Sequence, residues 1–412
     1  MDNKRVVITG IGVIVSNGIG RDRFFESIFS GYSGIKPISL FDTSPYKVKT
    51  AGESADFDPR KFLGDKGLRT LDRSTKLLCS SVRLALDDAH LEVTAENTSQ
   101  IGVVSGNTLG SLHSVCDFDI ESIKEGPRYV NPALFPNTVI NSPASQASIK
   151  FNIKGFNTTI STGFCASLDA IKYATDFLKI GRAKAALVSG VEELCLETFL
   201  AFYKTGFLAG LNGGPEISCP FDRRRNGIIF GEGSVVLVLE DLDSALSRQA
   251  HIYAEVLGFG MGQDAYRINK YNPTGAGLKK AMQMALRNAD VSLGDIDYIS
   301  AAANSTVAAD AIESSAIGEV FGAHSPKIPV SAIKSMIGEC FSAAGAFGVA
   351  ASLGAIERQM VSPTINYQEK DARCNLNYVT NKAKACKINK VLINAFGPSG
   401  CNSCLIISKF EG

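Results

Sequence analysis

Residues 157–171 read NTTISTGFCASLDAI. The opening NTTIS is short and β-prone. TGFCAS follows, and then Leu168, Ile171 and Leu178 recur at helical spacing, with Gly181 as a C-terminal cap. A strand therefore turns straight into a helix, and Cys165 falls on the elbow, at or next to the first helical residue. Free N–H groups and the positive end of the helix dipole favour a thiolate there. The position predicts a thiol pKa below the ordinary value of about 8.5 and faster alkylation than at the other cysteines. A buried structural cysteine would occupy the same elbow, so the spacing nominates a nucleophile without establishing one.

Outward from the elbow the chain alternates strands and helices. Residues 5–15 (RVVITGIGVIV) form a continuous β-branched run, as a strand buried on both faces requires. A helical pattern at 77–89 follows, then strands at 101–105, 185–189 and 234–239. The order then begins again: a strand at 253–258, a helix at 278–288, and strands at 296–302, 328–332 and 391–395. Such alternation predicts an α/β protein with mostly parallel sheet between helical layers. Two runs in similar order predict a duplicated fold, residues 1–250 carrying the elbow and residues 251–412 forming the second half.

Composition excludes several classes. Of 412 residues, 45% are hydrophobic and 20% charged, too apolar for disorder. The 42 Lys+Arg balance 41 Asp+Glu, so no net field draws in nucleic acid or an anionic membrane. No apolar stretch reaches the roughly 18 residues of a membrane span, and the polar start at 1–5 predicts no signal peptide. Ten cysteines, most within apolar runs, point to reduced thiols and a cytoplasmic setting. The arginines at 223–225 predict a salt-bridged loop. The spacing of Cys401 and Cys404 lacks a second ligand pair, so no metal site is expected, and no cofactor motif is complete: Gly10 and Gly12 end a strand without the third glycine of a dinucleotide fingerprint.

Several segments in order carry a resemblance: RVVITGIG at 5–12, STGFCASLDAI at 161–171, CPFDRRRNGIIFGEG at 219–233, NPTGAGLKKAM at 272–282, IKSMIGECFSAAGA at 333–346 and NAFGPSGCN at 394–402. Together they resemble the β-ketoacyl–acyl-carrier-protein synthases of the thiolase fold, across essentially the whole chain. The resemblance implies a layered α/β/α/β/α architecture and a dimer, and a cysteine, here Cys165, that accepts an acyl chain from carrier-protein pantetheine. Phe164, Thr306, Asp310, Glu313, Phe396 and Gly397 fall at positions that support the site or line the acyl pocket. Two histidines in that family help to decarboxylate a malonyl group, and the carbanion lengthens the acyl chain by two carbons.

The departures are specific. Where the family has His-Gly-Thr-x-Thr-x-x-x-Asp, residues 302–310 read AANSTVAAD, with Ala302 at the histidine. After Lys334-Ser335-Met336-Ile337-Gly338 the second histidine is replaced by Glu339. None of the chain's four histidines lies in these segments, and His113, after the Gly106–Gly110 turn, is the one that could approach a pocket. The family's Asn-x-Phe-Gly-Phe-Gly-Gly becomes Asn394-Ala395-Phe396-Gly397-Pro398-Ser399-Gly400. The resemblance gives the second Phe of that motif an oxyanion-donating N–H and a ring that gates the acyl pocket; Pro398 at its place has no N–H and no such ring. One such donor is worth about 10²–10³ in rate. Glu339 is expected to pair with Lys334, leaving Cys165, Lys334 and Glu339 as the groups available for chemistry.

These features predict a protein of fatty-acid or polyketide assembly that loads an acyl group on Cys165 from acyl carrier protein but lacks ordinary decarboxylative condensation. The alternatives are a chain-length-factor-like partner of an active synthase and a functional synthase with a non-standard site. Homodimer and heterodimer are both compatible with the sequence. The strand at 157–161 and the proline-containing loop at 131–145 are the expected subunit contact.

Overall fold

The computed structural model describes residues 4–412, and it is a layered α/β protein. One 12-stranded sheet runs through the molecule. Its strands are β1 (Val6–Val15), β2 (Ile101–Gly106), β3 (Asn157–Ile160), β4 (Ala185–Glu192), β5 (Gly233–Asp241), β6 (Ala254–Gln263), β7 (Tyr298–Ser300), β8 (Pro329–Ser331), β9 (Asn377–Tyr378), β10 (Lys390–Phe396) and β11 (Cys401–Ser408), with Gly18–Ile19 flanking β1. The spatial order is β9-β8-β7-β10-β11-β6-β1-β5-β4-β2-β3. Outward from the centre, β1-β5-β4-β2-β3 is matched by β6-β11-β10-β7-β8, so the two runs seen in the sequence repeat one order. They meet where Val7 pairs with Glu255 and Ile8 with Ala254. The parallel ladders expected from strand–helix alternation form both wings, and the middle of the sheet is antiparallel.

Helices α1 (Arg73–Asp88) and α3 (Ala276–Ala289) cover the outer faces of the two wings, over β1 and β6. Between the wings lie α2 (Ala166–Lys179) and α4 (Ala344–Arg358), which pack on each other. Every residue of β1 and β5 is buried, which is why those strands are uninterrupted apolar runs rather than alternating ones. Of α4, every residue from Ala344 to Ile356 is buried, as a helix between two sheet faces must be. Its alanines and glycines permit that depth.

Two sequence expectations are amended. Residues 131–145 are not an irregular loop: Pro132–Thr138 is a 3₁₀ turn and Ser142–Phe151 an α-helix. Pro132 and Pro143 stand in their first turns, where a missing N–H costs no hydrogen bond. The strand expected at 296–302 is shorter, Tyr298–Ser300, because the chain leaves the sheet there to enter the site. β3 lies at one end of the sheet.

Candidate active site

The elbow after β3 is a 3₁₀ turn, Gly163–Cys165, which leads directly into α2 with Cys165 as the N-cap. Gly163 is in the left-handed region at φ 65°, a conformation glycine takes without strain. Close packing sets the turn's position. A side chain at Gly106 would strike the backbone of Ser167, and one at Gly397 would strike the Phe164 ring.

Cys165 is completely buried, and its thiol donates to the Ala395 carbonyl at 3.2 Å. The expected lowering of its pKa is not what the surroundings produce. Burial pushes the thiol well above its ordinary value, Asp169 pushes it further, and Ser403 and Lys334 only partly oppose them. Loss of water penalises the thiolate more than one helix terminus favours it. Asp169 is the carboxylate sequence reasoning missed, one helical turn along at i+4, a spacing that puts both side chains on one face. It accepts from the Thr162 and Ser403 hydroxyls, and its own pKa is raised by burial.

Facing the elbow is a second one. β8 leads through the short helix Lys334–Ile337 and a 3₁₀ turn, Phe341–Ala343, into α4. Between helix and turn, the Glu339 backbone is pinned to residues 229–231, its N–H on the Ile229 carbonyl and its carbonyl on the Gly231 N–H. The Lys334 ammonium lies 2.8 Å from Glu339 Oε2, and both side chains are buried. The expected ion pair is thus present within a larger network. Asn304 Nδ2 donates to the same oxygen at 2.9 Å and the Phe341 N–H to the other at 3.0 Å. Lys334 also donates to the Ala302 carbonyl at 2.8 Å. Three donors thus meet the Glu339 side chain, which is what a buried carboxyl group requires.

The Ala302 N–H is anchored on Glu313 at 2.8 Å, and Asn394 Nδ2 reaches the same Glu313 oxygen at 3.0 Å. Burial lifts Glu313 from 4.5 to about 7, offset only in part by those donors. Asp310 is likewise lifted to about 6 by burial, against the opposing charge of Arg225, and it accepts from the Phe221 and Asn304 N–H groups. Asp310 and Glu313 thus brace the 302–304 segment. Thr306 is the N-cap residue of the helix Val307–Phe321. Arg223, Arg224 and Arg225 pair with Glu369, Asp222 and Asp371, the salt-bridged loop the sequence predicts.

Pro398 lies at the second position of a turn that joins β10 to β11 and is closed by the Gly400 N–H on the Gly397 carbonyl. Proline favours that position because its φ is fixed there. The turn lies against the elbow. Gly163, Phe164, Phe341, Pro398, Ser399 and Cys401 are among the walls of a cavity of about 460 Å³. Phe164 and Phe341 meet edge to face with ring centres 4.6 Å apart. Cys165 lies behind this wall, and Phe396 is buried beside it. His113 makes its ring contacts with Glu197 and Asp117 on a partly exposed surface, so it takes no part in this cluster. Among the described residues no helix is long and apolar enough to cross a membrane.

Comparison with known proteins fits this geometry. Residues 3–245 match the family described as "Beta-ketoacyl synthase, N-terminal domain", and residues 253–368 match its C-terminal domain. A 3-oxoacyl-acyl-carrier-protein synthase 2 of Coxiella burnetii is 36% identical over 411 residues, 99% of each chain. The enzyme of the same name from Synechocystis is 34% identical over 413 residues, 100% of this chain and 99% of its own. Among solved structures, the ishigamide ketosynthase/chain length factor superposes with a TM-score of 0.92 at 33% identity, over 99% of this chain and 100% of that one. A type II polyketide ketosynthase in complex with its acyl-carrier protein reaches 0.91 at 28% identity, with the same coverage. Matched end to end in sequence and in fold, this chain belongs to the β-ketoacyl synthase family and has its thiolase fold.

Proposed function

We propose that this protein accepts an acyl group on Cys165 from the pantetheine thioester of an acyl carrier protein, and that it does not carry out ordinary decarboxylative condensation. Cys165 attacks the thioester carbonyl, its sulfur–carbon bond forms, and the bond to the pantetheine sulfur breaks. The cysteine proton leaves with that sulfur as a free thiol, so the exchange needs no further reactant. The carrying observation is the pairing of an intact elbow with an opposite wall that has no imidazole: a methyl group at Ala302 and a triply bonded carboxylate at Glu339. A carboxylate held as an ion repels the enolate charge that condensation develops. Lys334 holds Glu339 in place. Carrier protein is the donor by analogy with the ketosynthase whose solved complex contains one.

A second reading, a chain-length-factor-like partner of an active synthase, is favoured by the complete burial of Cys165 and by the ishigamide neighbour. In either reading the subunit contact lies on β3, at the end of the sheet, and the chain divides near residue 250. Incubation with acyl-loaded carrier protein, followed by intact-protein and peptide mass spectrometry, separates the readings. An adduct on Cys165 that Cys165→Ala abolishes supports acyl transfer. No adduct, with a second synthase co-purifying, supports the partner role.

A further inference from the structure

Tyr271 was not singled out by its sequence, yet it packs on the segment that receives the Cys165 thiol. Its ring packs edge-on against Phe396, 5.5 Å between centres. Phe396 follows Ala395, whose carbonyl takes the Cys165 thiol. The neighbouring Lys270 N–H donates to the Pro398 carbonyl at 3.1 Å, which ties this segment to the turn beside the elbow. The ring edge is partly exposed, while the hydroxyl is buried and its contact with Asn304 falls short of hydrogen-bond geometry. That hydroxyl faces Asn304, the amide that holds Glu339, and both the Glu339 carboxylate and the Cys165 sulfur lie within electrostatic reach of it.

A buried hydroxyl so weakly partnered is costly, up to about 1–3 kcal/mol. Native structures keep such groups where something else completes them. The surroundings also fix the form of the phenol: burial raises its pKa, and Glu339 raises it further. It is therefore a neutral O–H at physiological pH, able to donate but not itself charged. Tyr271 and Thr306 line a second cavity of about 550 Å³. This cavity shares Thr205, Phe207 and Asn269 with the one in front of the elbow. A ligand entering along this surface would pass the phenol on its way to the thiol.

Resting on the acyl-transfer reading, we infer that Tyr271 is a catalytic hydrogen-bond donor, its hydroxyl pairing with the carbonyl oxygen of the thioester that Cys165 attacks. It supplies to the developing oxyanion what Pro398 cannot, and it does so without an imidazole. The covalent step is unchanged. The carbonyl electrons move onto oxygen under the Tyr271 hydrogen bond, then return as the pantetheine sulfur departs with the cysteine proton.

The test uses octanoyl-pantetheine as the probe and the full chain. Tyr271→Phe keeps the ring on Phe396 and removes only the hydroxyl. Cys165 acylation, followed by intact mass, is expected to fall by about 10²-fold, the scale of one lost oxyanion donor. Iodoacetamide labelling of Cys165 and the thermal midpoint should stay as in the parent chain. In Cys165→Ala, which binds without reacting, the infrared carbonyl band of ¹³C-labelled probe should lie below its position in water-free solvent, and Tyr271→Phe should return it. Acylation of Tyr271→Phe at the parent rate overturns the inference and leaves the acyl-transfer reading standing. An unshifted carbonyl band in Cys165→Ala overturns it even if Tyr271→Phe does not fold. No adduct in the parent chain removes both.

Discussion

The two elbows of this molecule occupy matching places in its two halves and are built from opposite chemistry. One leads from β3 through Gly163–Cys165 into α2, the other from β8 through Phe341–Ala343 into α4. Each passes through a three-residue 3₁₀ turn into its helix, and the two turns pack against each other. At the first, the delivered group is an uncharged thiol whose nearest ionic influence, Asp169, opposes ionisation. At the second, Glu339 is held by Lys334, Asn304 and the Phe341 backbone. The fold therefore places groups at both elbows and leaves their protonation to the side chains that gather around each. A duplicated scaffold can thus carry a thiol at one elbow and an ion-paired brace at the other.

The largest way to break this comparison is to unpair the brace. Lys334→Met leaves Glu339 buried with two neutral donors, and removing one partner of a buried pair costs about 3–5 kcal/mol. Denaturant unfolding should record that loss. The double replacement Lys334→Met with Glu339→Leu should cost less than the single, because no lone charge remains. Equal losses would mean that the pair contributes nothing as a pair.

Next in size is the pH dependence behind the second elbow. The folded pKa of Glu313 lies above its ordinary value, about 7 against 4.5. The folded state therefore binds this proton more tightly than the unfolded one. Its stabilising contribution is present below about 4.5 and is lost as pH rises through 7. A shift of this size is worth on the order of 3 kcal/mol. Glu313→Gln should flatten the fall in stability over that window. A parent chain whose stability is level there, or a variant with an unchanged slope, would contradict the assignment.

Much of this was legible beforehand, and the reason differs by element. The elbow at Cys165 was visible because a β-prone run, a glycine and an apolar period lie adjacent in sequence. The Lys334–Glu339 pair was visible because five residues and a short helix separate its partners. Asn304 closing on Glu339, and Tyr271 resting on Phe396, join segments whose sequence distance carries no periodic signal. The thiol pKa was misjudged for a related reason. The helix terminus is a local property, whereas burial comes in part from β10 and β11, far along the chain. Asp169 was within reach of the i+4 rule.

A smaller effect sharpens the same contrast. If Asp169 rather than Glu339 opposes the thiolate, Asp169→Asn should speed iodoacetamide labelling of Cys165 by a few-fold near pH 8, while Glu339→Gln leaves it unchanged. Burial remains the larger cause, so the half-buried Cys401 should still label faster than Cys165 in every variant. Acceleration by Glu339→Gln alone would transfer the role to the second elbow.

The central claim is that the first elbow loads an acyl group and the second no longer drives condensation. The direct measurement is one reaction, with octanoyl-loaded carrier protein and ¹³C-labelled malonyl-loaded carrier protein added to the chain. Release of labelled carbon dioxide and the mass of the Cys165 peptide are followed together. The account predicts that octanoyl-Cys165 accumulates and persists while carbon dioxide stays at the level of a protein-free control. Carbon dioxide released at steady turnover, with the octanoyl adduct consumed and a product two carbons longer appearing on carrier protein, would contradict it.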